Sequence, residues 1–202
     1  MATDVSASSE LRDRFVAAGL EVLQEHGAAE LTVRRVAEAA GSSTMGIYTR
    51  FGGRTGMLEA VYRRGFELLR DVLTAVPPGS PPDRIVALGR AYREFALANP
   101  ALYALLFERP IAGFDPSPEL RAEALAMNFT LLVDEVAAAG IPARWDPQRA
   151  AYLLWTAMHG IVSIELTHAL RSPLPGWFLS TPEVGEQVLV EGVRAVLKGL
   201  SG

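Results

Sequence analysis

Apolar residues recur along this chain at intervals of three and four, and alternating β-branched runs are nearly absent, a pattern that predicts an all-α protein. Leu11, Phe15, Ala18 and Val22 share one stripe of a first helix, which Ser8 or Ser9 would cap and Gly27 would stop. Thr32 is placed to cap a short second helix through Ala39, with Val33, Val36 and Ala37 inward and Gly41 as its terminator. A third helix is expected from Ser42 or Ser43 to just before Gly52-Gly53. A fourth, over about 54–76, carries Met57, Leu58, Val61, Tyr62, Leu69 and Leu73 inward. The segment "PPGSPP" then reads as a non-helical break.

Five more helical segments follow, over about 83–100, 101–107, 118–140, 146–170 and 181–200, with loops "ERPIAGFDPS", "IPARWDP" and "RSPLPGWFLS" between the later ones. The plan is about nine helices in a small N-terminal unit and a larger C-terminal bundle. We place the first domain at 1–56, the second at 77–202, and the fourth helix as the link.

Composition narrows the chemistry. Half the residues are apolar and about a fifth are charged, the balance of a compact globular chain. There is no cysteine, which excludes disulfides, thiolate metal sites and a cysteine nucleophile. No signal peptide is legible and no apolar run approaches the roughly 20 residues of a membrane span, so a cytoplasmic protein without membrane contact is expected. Charge is unevenly distributed. Positions 31–70 hold seven arginines against three acidic residues, a net of +4, which leaves −8 for the rest of a chain whose total is −4. Such asymmetry suits one polyanion-binding region on an acidic body.

That basic region contains two short helices separated by a glycine turn, the layout of a helix-turn-helix whose second helix enters a DNA major groove. Val36, Ala37 and Ala40 are expected to pack under Ile47, leaving Thr44, Met45, Gly46 and Thr49 outward. Arg34, Tyr48, Arg50 and Arg54 are then candidates for phosphates, as are the helix starts near Thr32 and Arg54. Each arginine alone also reads as an ordinary solvated position; their combination with the glycine breaks favours DNA.

"LTVRRVAEAAGSSTMGIYTRF" followed by "GGRTGMLEAV" resembles the DNA-binding segment of the tetracycline-repressor (TetR) family of bacterial transcriptional regulators, over about Leu11 to Phe66. The resemblance implies groove-facing Thr44, Met45 and Gly46, a base or phosphate contact from Arg34, a phosphate-binding Tyr48 and a basic Arg54 opening the fourth helix. With Thr32, Ser43 and Arg50 these complete the candidate DNA-binding set. Three positions depart from the family pattern: Ser42 replaces an apolar turn residue, Arg50 an aromatic or histidine, and Gly53-Arg54-Thr55 a serine-lysine-acidic helix start.

"AYREFALANPALYALLFERP" and "WTAMHGIVSIEL" resemble a C-terminal domain of the Trp-His-Gly type, marked by Trp155, His159 and Gly160. Gly160 would permit close helix approach. Tyr92, Phe95, Tyr103, Phe107, Met127, Phe129, Trp155 and His159 fit either an ordinary core or the wall of a cavity for a flat, apolar effector. In the resembled family the last two helices form a four-helix bundle across a homodimer, for which Val184, Val188, Val190, Val193 and Leu197 are available here.

Other chemistries fare poorly. Glu165 and His168 have the Glu-x-x-His spacing of di-iron bundles, but the three histidines supply no second such motif. Hydrolase elbows and phosphate-binding glycine loops are missing from the sequence. The reading is a non-enzymatic, ligand-released repressor binding a pseudo-palindromic operator, with no cofactor and no metal. A helical protein-interaction module without DNA binding is the alternative.

Overall fold

The structure, a computed structural model, describes the backbone of residues 2–171 and 181–202 and the side chains of 9–167 and 181–202. The loop "RSPLPGWFLS" therefore lies almost wholly outside the described residues, as do the side chains of Ser8 and His168. Nine helices and no strand occur among the described residues: α1 (Ala2–His26), α2 (Val33–Ala39), α3 (Thr44–Phe51), α4 (Arg54–Thr74), α5 (Pro81–Ala98), α6 (Pro100–Phe107), α7 (Pro118–Ala138), α8 (Pro147–Arg171) and α9 (Pro182–Ser201), with a 3₁₀ turn at Ala28–Glu30.

Two expected boundaries are corrected. Helix α1 begins at Ala2 rather than Ser9, since no glycine or proline interrupts residues 2–9. Pro81 and Pro82, assigned to a non-helical break, instead form the first turn of α5. A proline there loses nothing, because the first-turn N–H groups have no intrahelical acceptor. Ser80 completes the start: its hydroxyl donates to Asp83 Oδ2 at 2.5 Å and accepts from the Asp83 N–H at 3.4 Å. All of α5 to α9 open on proline. Ser117 and Asp146 cap α7 and α8 through bonds from the Leu120 and Arg149 N–H groups.

Packing divides the chain into two compact units, 1–68 with 99–124 and 69–98 with 125–202. In the first, Phe15, Leu23, Leu31, Ile47, Leu58 and Tyr103 are almost fully buried. Gly19 lets α1 meet α4, where a Cβ would lie 2.6 Å from a Val61 methyl. An aromatic chain runs Tyr62–Phe66–Phe107–Tyr103, with neighbouring ring centroids 5.1, 5.6 and 5.0 Å apart.

The second unit packs α5, α8 and α9 around Ile85, Leu154, Val162, Leu189 and Val193. Its core includes two charges. Arg93 and Glu165 are 5% and 8% exposed, and the guanidinium donates to both carboxylate oxygens at 2.7 and 2.5 Å and to the Pro182 carbonyl at 2.8 Å. Those hydrogen bonds to Glu165 raise the Arg93 pKa against the opposing effect of burial. Gly185 makes room for the pair, since a Cβ there would fall 2.2 Å from Glu165 Oε1.

Candidate nucleic-acid interface

The 33–54 segment is organised by caps. Thr32 Oγ1 accepts from the Arg35 N–H at 3.3 Å and starts α2. Its end is a Schellman turn: Ser42 N–H reaches Ala37 O and Gly41 N–H reaches Glu38 O, both at 2.9 Å, with Gly41 at φ +59°. Arg14 of α1 donates to the Ala40 carbonyl at 2.6 Å, a tie that the apolar periodicity did not reveal. Ser43 then caps α3 by accepting from the Gly46 N–H at 3.4 Å, and Gly52 closes it at φ +71° with a bond to Tyr48 O.

Helix α3 is seated on one residue. Ile47 is fully buried, with Val36, Ala37 and Ala40 buried on the preceding helix; Val33 is only half-buried. The opposite side is left in water: Thr44 and Thr49 are exposed, Met45 is 69% exposed and Tyr48 54%. Burying an apolar side chain is favourable by about 1.5–3 kcal/mol, a gain that Ile47 makes and Met45 forgoes.

Two expected orientations are corrected. A Cβ on Gly46 would sit 2.9 Å from the Phe15 ring, so this glycine faces α1 and permits its close approach; it does not look outward. Arg50, expected beside Tyr48, is half-buried; its Nε is shut off from solvent without an acceptor, and it lines a cleft with Arg12 and Glu59. Gly56 explains the "GGRTG" spacing further, because a Cβ there would lie 1.9 Å from the Phe51 carbonyl oxygen. Gly53, at φ +123°, accepts at its carbonyl from Met57 N–H and opens α4 without a side-chain cap.

The basic residues divide by partner. Arg35 pairs with Glu30 at 2.7 Å, Arg63 with Glu123 and Arg64 with Glu67, while Arg70 donates to the Met127 carbonyl. Among the described residues, exposed Arg34 and Arg54 have no ion-pair partner.

The candidate effector residues fall in different places. Tyr103 and Phe107 belong to the aromatic chain of the first unit, Tyr103 being fully buried. Tyr92, Phe95, Met127, Phe129, Trp155 and His159 belong to the second. There the Tyr92 hydroxyl meets His159 Nδ1 at 2.8 Å, and the Trp155 ring lies 5.3 Å from His159 and 5.9 Å from Tyr152. Burial pushes the His159 pKa below its ordinary value. Phe95 is buried, and Met127 and Phe129 are half-buried.

Gly160 is not explained by close approach within the chain, because nothing lies within 4 Å of a Cβ built there. Close approach of α8 to α9 occurs instead at Gly192, where a Cβ would lie 2.7 Å from Ile161 Cδ1. Of the expected dimer residues, Val190 and Val193 are buried in their own unit, whereas Val184, Val188 and Leu197 keep partial exposure. Tyr152, Leu153 and Ile164 of α8 are exposed, at 55%, 38% and 53%. Glu165 is engaged by Arg93, and the His168 side chain of the Glu-x-x-His spacing lies outside the described residues. No described helix is long and apolar enough to cross a membrane.

Two family models match this chain. Residues 15–61 match the family model for bacterial regulatory proteins of the tetR family, and residues 85–177 match the tetracyclin repressor-like C-terminal domain. The chain is similar to an HTH-type transcriptional regulator of Mycobacterium tuberculosis, 24% identical over 192 residues covering 79% of this chain and 82% of that protein. It is similar to a solved protein of unknown function from Rhodococcus sp. RHA1, 26% identical, with 95% of this chain and 96% of that one covered at a TM-score of 0.75. A TetR transcriptional regulator from Streptomyces coelicolor shares the fold, at 23% identity, a TM-score of 0.63 and coverage of 94% and 97%.

Proposed function

Because the chain belongs to the tetR family of bacterial regulatory proteins and is a transcriptional regulator with a helix-turn-helix DNA-binding domain, we propose that it is a homodimeric repressor released from a pseudo-palindromic operator by a small apolar or aromatic ligand. The observation that carries the DNA reading is the exposed row Thr44, Met45, Tyr48 and Thr49 above buried Ile47, with unpartnered Arg34 and Arg54 on the helices before and after it. In this reading Thr44 and Met45 meet base edges. Arg34, Tyr48, Arg54 and the cap residues Thr32 and Ser43 hold phosphates. Gly46 contributes close packing on α1, and Arg50 is left out because it lines the cleft.

The functional division is 1–56 for DNA and 77–202 for ligand and dimer, with α4 between. The exposed apolar residues of α8 and the half-exposed Val184, Val188 and Leu197 of α9 support pairing with a second copy. Tyr92, Phe95, Trp155 and His159, with Met127 and Phe129, support an aromatic effector. Tyr103 and Phe107 are assigned to packing. Release requires that the ligand bind one dimer shape more tightly than the DNA-competent shape. The regulator works in the cytoplasm, where its operator lies. Membership in this family sets aside an enzyme and an interaction module without DNA binding.

The test is the salt dependence of binding to duplex DNA. Affinity should fall as salt rises, and Arg34→Ala and Arg54→Ala should each reduce the slope of log affinity against log salt by about one. Unchanged slopes in both variants would remove these arginines from the interface.

A further inference from the structure

The first unit holds a second concave feature, on residues other than the outward row of α3. A cleft of about 410 Å³ is lined by residues of α1, the end of α3, the first turns of α4 and the start of α7, all within the same compact unit. That volume lies within the roughly 300–1,000 Å³ of small-molecule sites. Its lining is amphoteric: Arg12, Arg50 and Arg63 are matched by Glu59, Glu119 and Glu123.

One of the three pairs, Arg63 with Glu123, is already made. Among the described residues the other two arginines and two glutamates have no ion-pair partner. Arg12 stacks its guanidinium 5.0 Å from the Phe51 ring centroid. The Arg50 side chain lines the cleft, and its Nε is shielded from solvent and has no protein acceptor. A carboxylate entering the cleft is the strongest acceptor to offer the guanidinium groups of Arg12 and Arg50 that line it.

The balance of charge restricts the ligand. A simple anion meets three carboxylates and a simple cation meets three guanidinium groups, so neither is favoured by the net field. A molecule carrying both charges gains at both ends. We propose that this cleft binds a small zwitterion of the α-amino-acid type, its carboxylate on Arg12 and Arg50 and its ammonium on Glu59 and Glu119. This site is separate from the aromatic residues of the second unit and requires no assignment of base-reading residues. Its occupant touches Arg50 and Phe51, the last turn of α3, and so stiffens the end of the helix presented to DNA.

The experiment uses the full-length protein without DNA. The Arg50 Nε–H resonance, assigned by its loss in Arg50→Lys, is followed during titration with free L-α-amino acids, first as a mixture and then singly. Propionate and propylamine serve as matched single-charge probes. At least one amino acid should shift the resonance saturably, with neither single-charge probe doing so at equal concentration. Calorimetry should show about tenfold or greater weakening in both Arg50→Lys and Glu59→Gln, and Glu119→Gln supplies a third, exposed position whose substitution leaves the packing intact. The proposal is overturned if no amino acid moves the resonance, if propionate alone acts as well, or if all three variants bind with unchanged affinity.

Discussion

Helix α3 buries Ile47 and leaves Met45 and Tyr48 in water, whereas α8 buries Leu154, Met158 and Val162 and withdraws even Glu165 from solvent to meet Arg93. Their supports differ in range. Helix α3 is held by Ser43, Gly52 and its neighbour α2, all close in sequence, with Phe15 of α1 as its platform. The α8 contact spans 72 residues to Arg93, which in turn reaches 89 residues to Pro182. A locally held helix with an exposed face can change its surface residues without disturbing the core, while a helix tied to distant buried charges loses buried partners when those residues change. Substitutions in α3 should therefore alter binding with little loss of stability, and substitutions around Glu165 should do the reverse.

The largest effect is expected at Arg93. Arg93→Ala leaves the Glu165 carboxylate buried without its partner and should cost about 3–5 kcal/mol in urea unfolding followed by circular dichroism. Replacing both, Arg93→Met with Glu165→Leu, should restore most of that loss, because an apolar pair has no charge to desolvate. If the single and double variants were equally unstable, the pair would be acting through shape alone.

Gly56→Ala comes next. Its Cβ meets the Phe51 carbonyl, so α3 and α4 must separate, at about 1–3 kcal/mol by thermal unfolding. Gly199→Ala, with nothing within 4 Å, should instead stabilise by up to about 1 kcal/mol through helix propensity. A like loss in both would argue against the close helix contact at Gly56.

Within α3 the expected effect is on choice. Thr44→Val should change preference at particular base pairs by about 1–3 kcal/mol, measured by competition between duplexes, while Tyr48→Phe should weaken all duplexes alike. Equal losses on every duplex for Thr44→Val would move it out of the groove.

The smallest effect concerns His159. Burial depresses its folded pKa, so the unfolded chain binds the proton first as pH falls below the ordinary histidine value of about 6.5. Stability associated with neutral His159 is fully present above that pH and declines down to the folded pKa. His159→Gln should flatten this part of the pH–stability curve; an unaltered slope would show that other groups carry it.

Much of the fold was legible because the chain punctuates itself. Thr32, Ser43, Gly41 and Gly52 mark α2 and α3 by their capping chemistry alone. The dipeptides Ser80-Pro81, Asn99-Pro100, Ser117-Pro118, Asp146-Pro147 and Thr181-Pro182 mark five later starts, a signal that a reading of proline as a breaker misses at "PPGSPP". Directions were less legible. In an eight-residue helix, periodicity leaves Gly46 and Arg50 ambiguous, and only the position of Phe15 and the cleft resolves them. The partnership of Arg93 with Glu165 has no local trace, nor does the division of the aromatic residues between two units, because each depends on which distant helices meet.

The central claim is that the exposed row of α3 reads DNA for a dimer. Its most direct test is selection of bound duplexes from a random pool by the purified protein at moderate salt. The account predicts enrichment of an inverted repeat, with half-sites one helical turn or a multiple apart, and loss of that enrichment in a Thr44→Val, Tyr48→Phe double variant that folds normally. Recovery of no common motif, or the same motif from the double variant, would contradict it.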